Sequence, residues 1–582
     1  MPPKKTPAPE VISLIPNSET APRPRLTKLI IKNFRTIGSA PVIIDLDDIV
    51  VLVGANNAGK SSILRAYEVA MNSNSKEGYL DLEDFPNRVV LPEALPEVEV
   101  HTILSEDKPG QQWNLDIGNG EWLIRERWIW SKPDAPPKRQ GFDVQENDWS
   151  DSVPWGAPNV ANAHRPQPHR IDAFALPEEQ ANEISKLIKN LLDSKMKTIK
   201  SVGNTSDKTD YEQLIDKIAV FQATVAEAVK SEIVNIEQNI SEYIAKIFHN
   251  YIVKLDVRHD GSIEKTYSPF KEGAIMTMGP SDGYLSTLSK QGSGARRTLL
   301  WTALKYISEQ QKIEVGGRPH VLLIDEPEIC LHPSATRDAR KVLYDLPKTK
   351  NWQVMVTTHS PIFIDLSYDN TTIVRVDRND DNAVKSTTLY RPASAKLSAE
   401  DKTNLKLLNI CDPYVHEFFF GGRIIVVEGD TEYTVFSWLK GEYPGSYDDV
   451  HIIRARGKAI IPSVVKILNQ FTCDYAVLHD TDTLDANGRR NPAWTVNQTI
   501  LDEINKGEDS QKIRLIACKT NFETAIFSED ATKDKPYNAV VKLKEDGRLK
   551  EKVKLLLDGL LNAYGELPEN CIRWDNIEQL NA

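Results

Sequence analysis

No apolar run in this chain is long enough to cross a bilayer, no two cysteines stand at disulfide-framework or zinc spacing, and positive charge is not in surplus. The first absence leaves no candidate transmembrane helix. The opening MPPKKTPAPE also lacks the apolar stretch of a secretory leader. The five cysteines (Cys330, Cys411, Cys473, Cys518 and Cys571) are scattered and odd in number. They fit a reduced, cytoplasmic compartment with no membrane attachment. A formal net charge of −12 excludes a uniformly basic nucleic-acid binder but leaves room for a local basic groove. What is present is ordinary for a soluble chain: 40% hydrophobic and 26% charged residues over 582 positions, enough for several domains.

The strongest motif is IVVLVGANNAGKSS, Ile49–Ser62. Its apolar, mostly β-branched opening reads as a buried strand. Gly54, Gly59, Lys60 and Ser61 follow at the spacing G-x-x-x-x-G-K-S, and SILRAYEVAM then forms a helix. Strand, glycine turn and helix together make a phosphate loop, in which backbone N–H groups and the helix N-terminus face the anion. Asn56, Asn57, Gly59, Lys60, Ser61 and Ser62 are the expected ATP contacts. Lys60 would reach the β- and γ-phosphates, and Ser61 would hold Mg²⁺.

Residues 1–24 are Pro-, Lys- and Thr-rich and read as a disordered or extended tail. RLTKLIIKNFRTI (25–37) and 41–46 read as strands leading into the loop, and 97–104 and 121–130 as further strands with hairpin character between them. Residues 131–169 read as an irregular surface excursion. From 177 to 265 Glu, Lys, Ile, Leu and Ala dominate. Ile184, Leu187, Ile188 and Leu191 keep helical spacing, as do Leu214, Ile218, Phe221, Val225, Val229, Ile233 and Ile236. This helical insertion must bury its stripe, either on a second subunit or on the chain's own core.

Later segments add chemistry. In TLSKQGSGARRTLL, Ser293 and Gly294 stand at a helix start, a second anion-facing geometry. HVLLIDEPE (320–328) is an apolar strand ending in acids. Asp325 would hold Mg²⁺ through water, and Glu326 would orient or deprotonate the attacking water. The strand 353–356 leads to Thr357-Thr358-His359-Ser360, with His359 at a strand end within reach of a γ-phosphate. GANNAGKS, SKQGSG, LLIDEPE and TTHS in this order resemble the ABC-type ATPases of the SMC and RecF kind. That resemblance implies two heads closing on ATP, each capping the other's nucleotide with its SKQGSG segment. SKQGSG departs from the usual LSGGQ form, and no residue stands out as the Q-loop glutamine.

A second site follows the connector 396–420. In RIIVVEGDTE, Glu428 ends a short strand and Glu432 sits one helical turn later; DYAVL (474–478) then runs into His479-Asp480-Thr481-Asp482. Acids at the ends of neighbouring parallel strands converge at the sheet's C-terminal edge. Glu428, Glu432, Asp480 and Asp482 therefore suit Mg²⁺, or Mn²⁺, for phosphodiester cleavage. EG-x-x-E followed by D-x-D resembles the Rossmann-like TOPRIM domain.

An ABC-type ATPase (25–176 and 266–395) interrupted by helices and followed by TOPRIM (421–582) resembles the OLD (overcoming lysogenization defect) nuclease family. The resemblance covers residues 25 to about 540 and fixes the expected fold class as α/β. It implies a further acid, matched by Glu523, and a lysine, matched by Lys535, with Lys542 and Lys544 as competitors. His479 and Asp485 are weaker candidates for a second metal. Gabija and retron-associated nucleases share the layout. They imply anti-phage defence and a partner such as a reverse transcriptase or helicase, while the paired ATPase heads and the helical insertion imply a homodimer or higher homo-oligomer. The expected activity is an ATP-gated endonuclease on DNA, with Glu326, Glu428, Asp480, Asp482 and Lys535 as catalytic residues. RNA or tRNA is the alternative target, and a non-cleaving RecF-like loader the alternative function. Arg454, Arg456, Lys458, Arg489 and Arg490 are the basic residues nearest the acids.

Overall fold

A computed structural model describes residues 24–581, leaving out 106–107, 157–160, 162–163, 173–177, most of 180–231, 247, 249, 257–274, 311–318, 350–351, 367, 369, 380–382, 412–414, 472–473, 487, 508–512 and 530–533. The expected tail before residue 24 and the stripe from Leu214 to Val229 lie outside the described residues.

Ile49–Val53 is buried at every position, so it belongs inside a sheet covered on both faces. Among the described residues that sheet runs Val384–Tyr390, Thr371–Arg378, Ile49–Val53, Trp352–Thr357, His320–Asp325, Gln167–Ile171. Neighbours are parallel except at the Val384–Tyr390 edge. The register sets Asp325 opposite Thr357 and Thr357 opposite Leu52, so the phosphate loop, the acids and the Thr357–Ser360 turn leave from one edge. Gly54 is needed at the first bend. Its φ is 134°, and a Cβ there would come within 2.1 Å of the Val376 carbonyl oxygen.

The stretch 131–169, expected to be irregular, contributes three strands to the sheets. Lys138–Asp143 and Asp148–Ser150 extend an antiparallel sheet, and Gln167–Ile171 begins within it as the edge strand of the ATPase sheet. QPHRI carries no apolar alternation. Pro168 lacks an N–H and is tolerated at an edge. Burial there comes from imidazole and indole: His169 meets His320 at 3.1 Å, and both rings lie against Trp352.

The opening strands are Arg25–Lys32 and Val42–Asp45, the first ending before Asn33 and Arg35, both in left-handed conformation. With Glu97–Leu104 and Glu121–Ile129 they form that antiparallel sheet, and Leu115–Gly118 folds back on Glu121–Ile129. The helix Lys60–Met71 is buried between the two sheets, its Ile63, Leu64 and Tyr67 in one cluster with Leu29, Val50 and Leu52. Residues 232–245 of the insertion are helical. Ile236, Ile240 and Ile244 pack in the chain's own core with Val253, Leu299 and Leu304, as do Ile184 and Ile188. This described part thus takes the second of the two partners open to it.

The C-terminal sheet runs Val450–Arg454, Arg423–Val427, Tyr475–Asp480, Arg514–Cys518, Cys571–Arg573, parallel except at the last strand. Its Ile424, Val426 and Val477 share one apolar cluster with Val51, Leu322 and Phe363 of the ATPase. At the junction Phe418 and Phe419 stack and pack on Phe471. Asp401 of helix Ala399–Cys411 holds Lys466 (2.6 Å) and Ser463 (2.8 Å) of helix Ile461–Leu468. Burying one phenylalanine contributes roughly 2 kcal/mol, so the three packed rings are a principal source of cohesion at this joint beside the buried Asp401 contacts. Among the described residues no helix is long and apolar enough to cross a membrane.

Candidate active sites at two sheet edges

Lys60 opens its helix behind left-handed Gly59. Its buried Nζ donates to Gly54 O (3.0 Å) and Ala55 O (2.8 Å) and meets His359 Nε2 at 2.9 Å. Burial lowers the Lys60 pKa against the pull of Glu326 and Asp325. Burial and then the Lys60 cation lower that of His359, so the ring is the neutral acceptor. All three partners are uncharged. Phosphate oxygens bind the same ammonium more strongly because they carry full charge.

Ser61 Oγ donates to Asp325 Oδ1 at 3.0 Å, and the Thr357 hydroxyl donates to the same oxygen. Glu326 has φ 46°, costly for a residue with a long side chain. It is held by its N–H on Thr357 O (3.1 Å) and by Arg297, which donates to Glu326 O at 3.1 Å. Its carboxylate lies 3.5 Å from His359 Nε2. Glu328 accepts from Thr358 Oγ1 (2.9 Å) and from the His359 N–H (2.6 Å), which fixes the turn carrying the histidine. Lys60, Ser61, Asp325, Glu326 and His359 thus come together. Asn56 and Asn57 are exposed on the loop and Ser62 is buried in the first helical turn. Ser293 is exposed. Gly294 lies so close to the Cys330 carbonyl that a Cβ would stand 2.7 Å from it, and Arg297 links this helix start to Glu326.

At the second edge, Glu428 follows Arg423–Val427 and its Oε2 accepts the Asp480 N–H at 3.0 Å. Glu432 is buried in the first turn of helix Asp430–Glu442. Glu523, buried in the first turn of Phe522–Phe527, accepts from Thr431 Oγ1 (2.9 Å) and faces Lys535 Nζ at 3.3 Å. Burial and the neighbouring carboxylates push the acids up together: Glu428 above its usual range, Glu432 to about 7, Asp480 well above. Asp482 stands in left-handed conformation, φ 60°, with Oδ2 2.7 Å from Lys458 Nζ.

A set made only of carboxylates suits a hard divalent cation. One buried oxygen, Asp480 Oδ1, has no hydrogen-bond partner. Mutual repulsion among Glu428, Glu432 and Asp480 is what such an ion relieves, so the residues fit one. Among the described residues no three His, Cys, Asp or Glu side chains already stand together in a metal-holding group.

Some expectations change here. His479 is no metal ligand: Trp574 Nε1 donates to its Nε2 (3.2 Å), its Nδ1 meets Asp480 O (2.8 Å), and burial lowers its pKa to about 3. Asp485 is exposed and pairs in register with Arg490 in a two-stranded hairpin. Lys542 binds Glu529, and Lys544 is exposed. Lys458, grouped with possible substrate-facing charges, is a buried part of the acid site. Thr357, Thr431 and Glu328 went unnoticed as site residues because they act through backbone and hydroxyl contacts that no spacing announces.

A family model described as AAA ATPase domain matches residues 25–108 and 158–364, half of the chain, and spans all four ATPase segments. One described as overcoming lysogenization defect protein-like, TOPRIM domain, matches 419–482, which takes in Glu428, Glu432, Asp480 and Asp482 but stops before Glu523 and Lys535. The Old nuclease of Escherichia phage P2 is 24% identical over 530 residues, 88% of this chain and 86% of that protein. The OLD nuclease of Thermus scotoductus (strain ATCC 700910 / SA-01) is 27% identical over 243 residues, 40% and 45% respectively. Among solved structures, an Smc head bound to the C-winged helix domain of ScpA aligns with TM-score 0.38 and 17% identity, over 64% of this chain and 99% of that one. A score that low adds nothing to the strand order. The chain belongs to the AAA ATPase domain family, and with an OLD-like TOPRIM domain behind that ATPase it has the architecture of the overcoming-lysogenization-defect family.

Proposed function

We propose that this chain is an endonuclease that cleaves DNA with Mg²⁺ or Mn²⁺ at the TOPRIM acids, gated by ATP at the other sheet edge. The observation that carries the reading is the cluster Glu428, Glu432 and Asp480, one carboxylate buried and two half-buried, all raised by desolvation and by neighbouring acids, with one Asp480 oxygen unpartnered. A bound divalent cation would offset the mutual repulsion of such a cluster and keep its carboxylates ionised at neutral pH. The ion, when bound, supplies Lewis acidity to the phosphodiester.

The chain's own residues do the rest. Glu428 ties its strand end to the Asp480 backbone, Glu523 extends the acid set, and Lys535, partly exposed beside Glu523, faces the cleaved phosphate. Exposed Arg456, Arg489 and Arg490 flank the acids and offer phosphate contacts on an otherwise acidic protein. At the ATP site Lys60 holds the β- and γ-phosphates. Ser61 and Asp325 orient Mg²⁺, Glu326 aligns the attacking water, and His359 senses the γ-phosphate. Exposed Ser293, with half-buried Gly294 beside it, caps the nucleotide of a second copy, which makes the active form a homodimer or larger. The layout shared with the Gabija and retron-associated nucleases supports an anti-phage effector.

Plasmid cleavage by wild type and Asp480→Ala with Mg²⁺ or Mn²⁺, across an ATP titration, tests this. Cleavage by wild type alone, changed by ATP, is expected. Wild-type cleavage that persists in Asp480→Ala would refute the site, and none on DNA together with cutting of RNA would refute the substrate.

A further inference from the structure

The strand beside Glu428 ends in a tight turn. Arg456 and Gly457 both have positive φ, 59° and 128°, and the Gly457 N–H donates to Glu428 O at 2.9 Å. This turn delivers Lys458 inward. Its side chain is 5% exposed, far below the usual exposure of lysine.

The ammonium has three acceptors. They are the Asp480 carbonyl at 2.5 Å, the Thr481 carbonyl at 3.3 Å and Asp482 Oδ2 at 2.7 Å. A lysine has three protons and no more. All three are spent on one segment of backbone and its aspartate, so none is left for a substrate phosphate. The same segment is pinned from its other sides: Asp482 N–H on Thr520 O (3.0 Å), Thr520 N–H on Thr481 Oγ1 (2.8 Å), and Asn497 Nδ2 on Thr481 O (3.0 Å). Asp482 is left-handed, and the Lys458 ammonium is the donor shared by the two carbonyls and its carboxylate.

The two aspartates therefore differ. Asp482 already has its counter-ion, while Asp480 has an oxygen with no partner and faces Glu428 and Glu432. We propose that Lys458 is a positioning residue of the nuclease site: it fixes the Asp480–Asp482 turn in its reactive geometry and neutralises Asp482, which is thereby reserved for the reacting state, while Asp480 with Glu428 and Glu432 takes the divalent cation whether or not Lys458 is present. The inference rests on reading the acid cluster as the nuclease site.

Mn²⁺ binding, read by electron paramagnetic resonance, and cleavage rate at saturating Mn²⁺ separate the possibilities. In Lys458→Met the lost positive charge leaves Mn²⁺ bound at least as tightly, while the disordered turn lowers kcat by ~10- to 100-fold. Lys458→Arg, which keeps the charge, recovers part of the rate. Two further variants keep Lys458 in place and do not depend on how Lys458→Met folds. Asp480→Asn loses Mn²⁺ binding, and Asp482→Asn keeps it within ~3-fold because its carboxylate is already paired. If Lys458→Met loses Mn²⁺ affinity in step with rate, or Asp482→Asn loses Mn²⁺ as severely as Asp480→Asn while wild type binds and cleaves, the role assigned to Lys458 is wrong. A wild type that neither binds Mn²⁺ nor cleaves refutes the nuclease reading itself.

Discussion

Two lysines lie buried at two sheet edges, and their company differs. Lys60 is held by two carbonyls and a neutral imidazole. Lys458 is held by two carbonyls and a carboxylate. Each site also carries an acid in left-handed conformation just past a strand end, Glu326 at φ 46° and Asp482 at φ 60°. The construction is shared: parallel strands deliver acids to one edge, and a glycine-bearing turn delivers a lysine to meet them. The difference lies in what an arriving anion finds. At Lys60 it meets a cation with only neutral competitors, a site made to exchange partners. At Lys458 the cation already has an anion, which makes it part of the scaffold.

The largest effect should come from breaking the exchangeable site. Lys60→Ala should cut ATP hydrolysis by ~10²- to 10³-fold, the usual scale for removing a phosphate-stabilising donor. Its thermal midpoint should stay level or rise, because an ammonium with a desolvation penalty and neutral partners contributes little to folding. A steady-state phosphate-release assay and a melting curve on one preparation check both halves.

Next comes the acid cluster. Asp480→Asn should abolish cleavage yet raise the melting temperature of the metal-free protein, since it removes a carboxyl whose ionisation burial, Glu432 and Glu428 all oppose. It should also erase the upward shift that Mn²⁺ gives wild type. A lower metal-free midpoint would mean that the carboxylate has partners the cluster does not suggest.

The contrast sharpens when both lysines become methionine. Lys60→Met should be neutral or stabilising. Lys458→Met should destabilise by ~1 to 3 kcal/mol, below the full cost of a broken buried pair because Asp482 is partly exposed. Urea midpoints decide it, and equal effects would erase the distinction between the two sites.

The ATP site was almost wholly legible in sequence, because a phosphate loop is a local backbone object whose strand, glycines and helix are contiguous. Asp325, Glu326 and His359 were legible for a related reason: apolar strands announce themselves, and residues after them reach the same edge. The TOPRIM acids followed the same logic. Lys458 was visible only as a charge, because its inward course depends on the backbone of Arg456 and Gly457 and on carbonyls from another strand. His479 misled because a histidine between strand and acid looks like a ligand, whereas Trp574, nearly a hundred residues on, occupies it. The edge strand Gln167–Ile171 escaped because imidazole stacking, not aliphatic periodicity, buries it.

The smallest effect belongs to the joint between the two sites. His416 is buried where the segment Pro361–Phe363, directly after the His359 turn, meets Phe418 and Phe419 before the Glu428 strand. Its ring bonds toward the Ile364 and Pro361 backbone, with the paired Asp365 and Arg340 facing it (2.8 Å apart), and Nδ1 has no partner. Burial lowers its pKa to about 4, so the folded joint requires neutral imidazole. The unfolded chain binds that proton near pH 6.5, hence stability is full above pH 6.5 and is lost as pH falls toward 4. Between pH 7.5 and 5 the loss is about 2 kcal/mol from this one residue. His416→Phe keeps the packing and removes the titration, so its urea midpoint should fall less than that of wild type over the same interval. Equal falls would place the acid sensitivity elsewhere. A variant that also loses the effect of ATP on cleavage, with both activities intact, would show that this joint carries the signal between the two lysines.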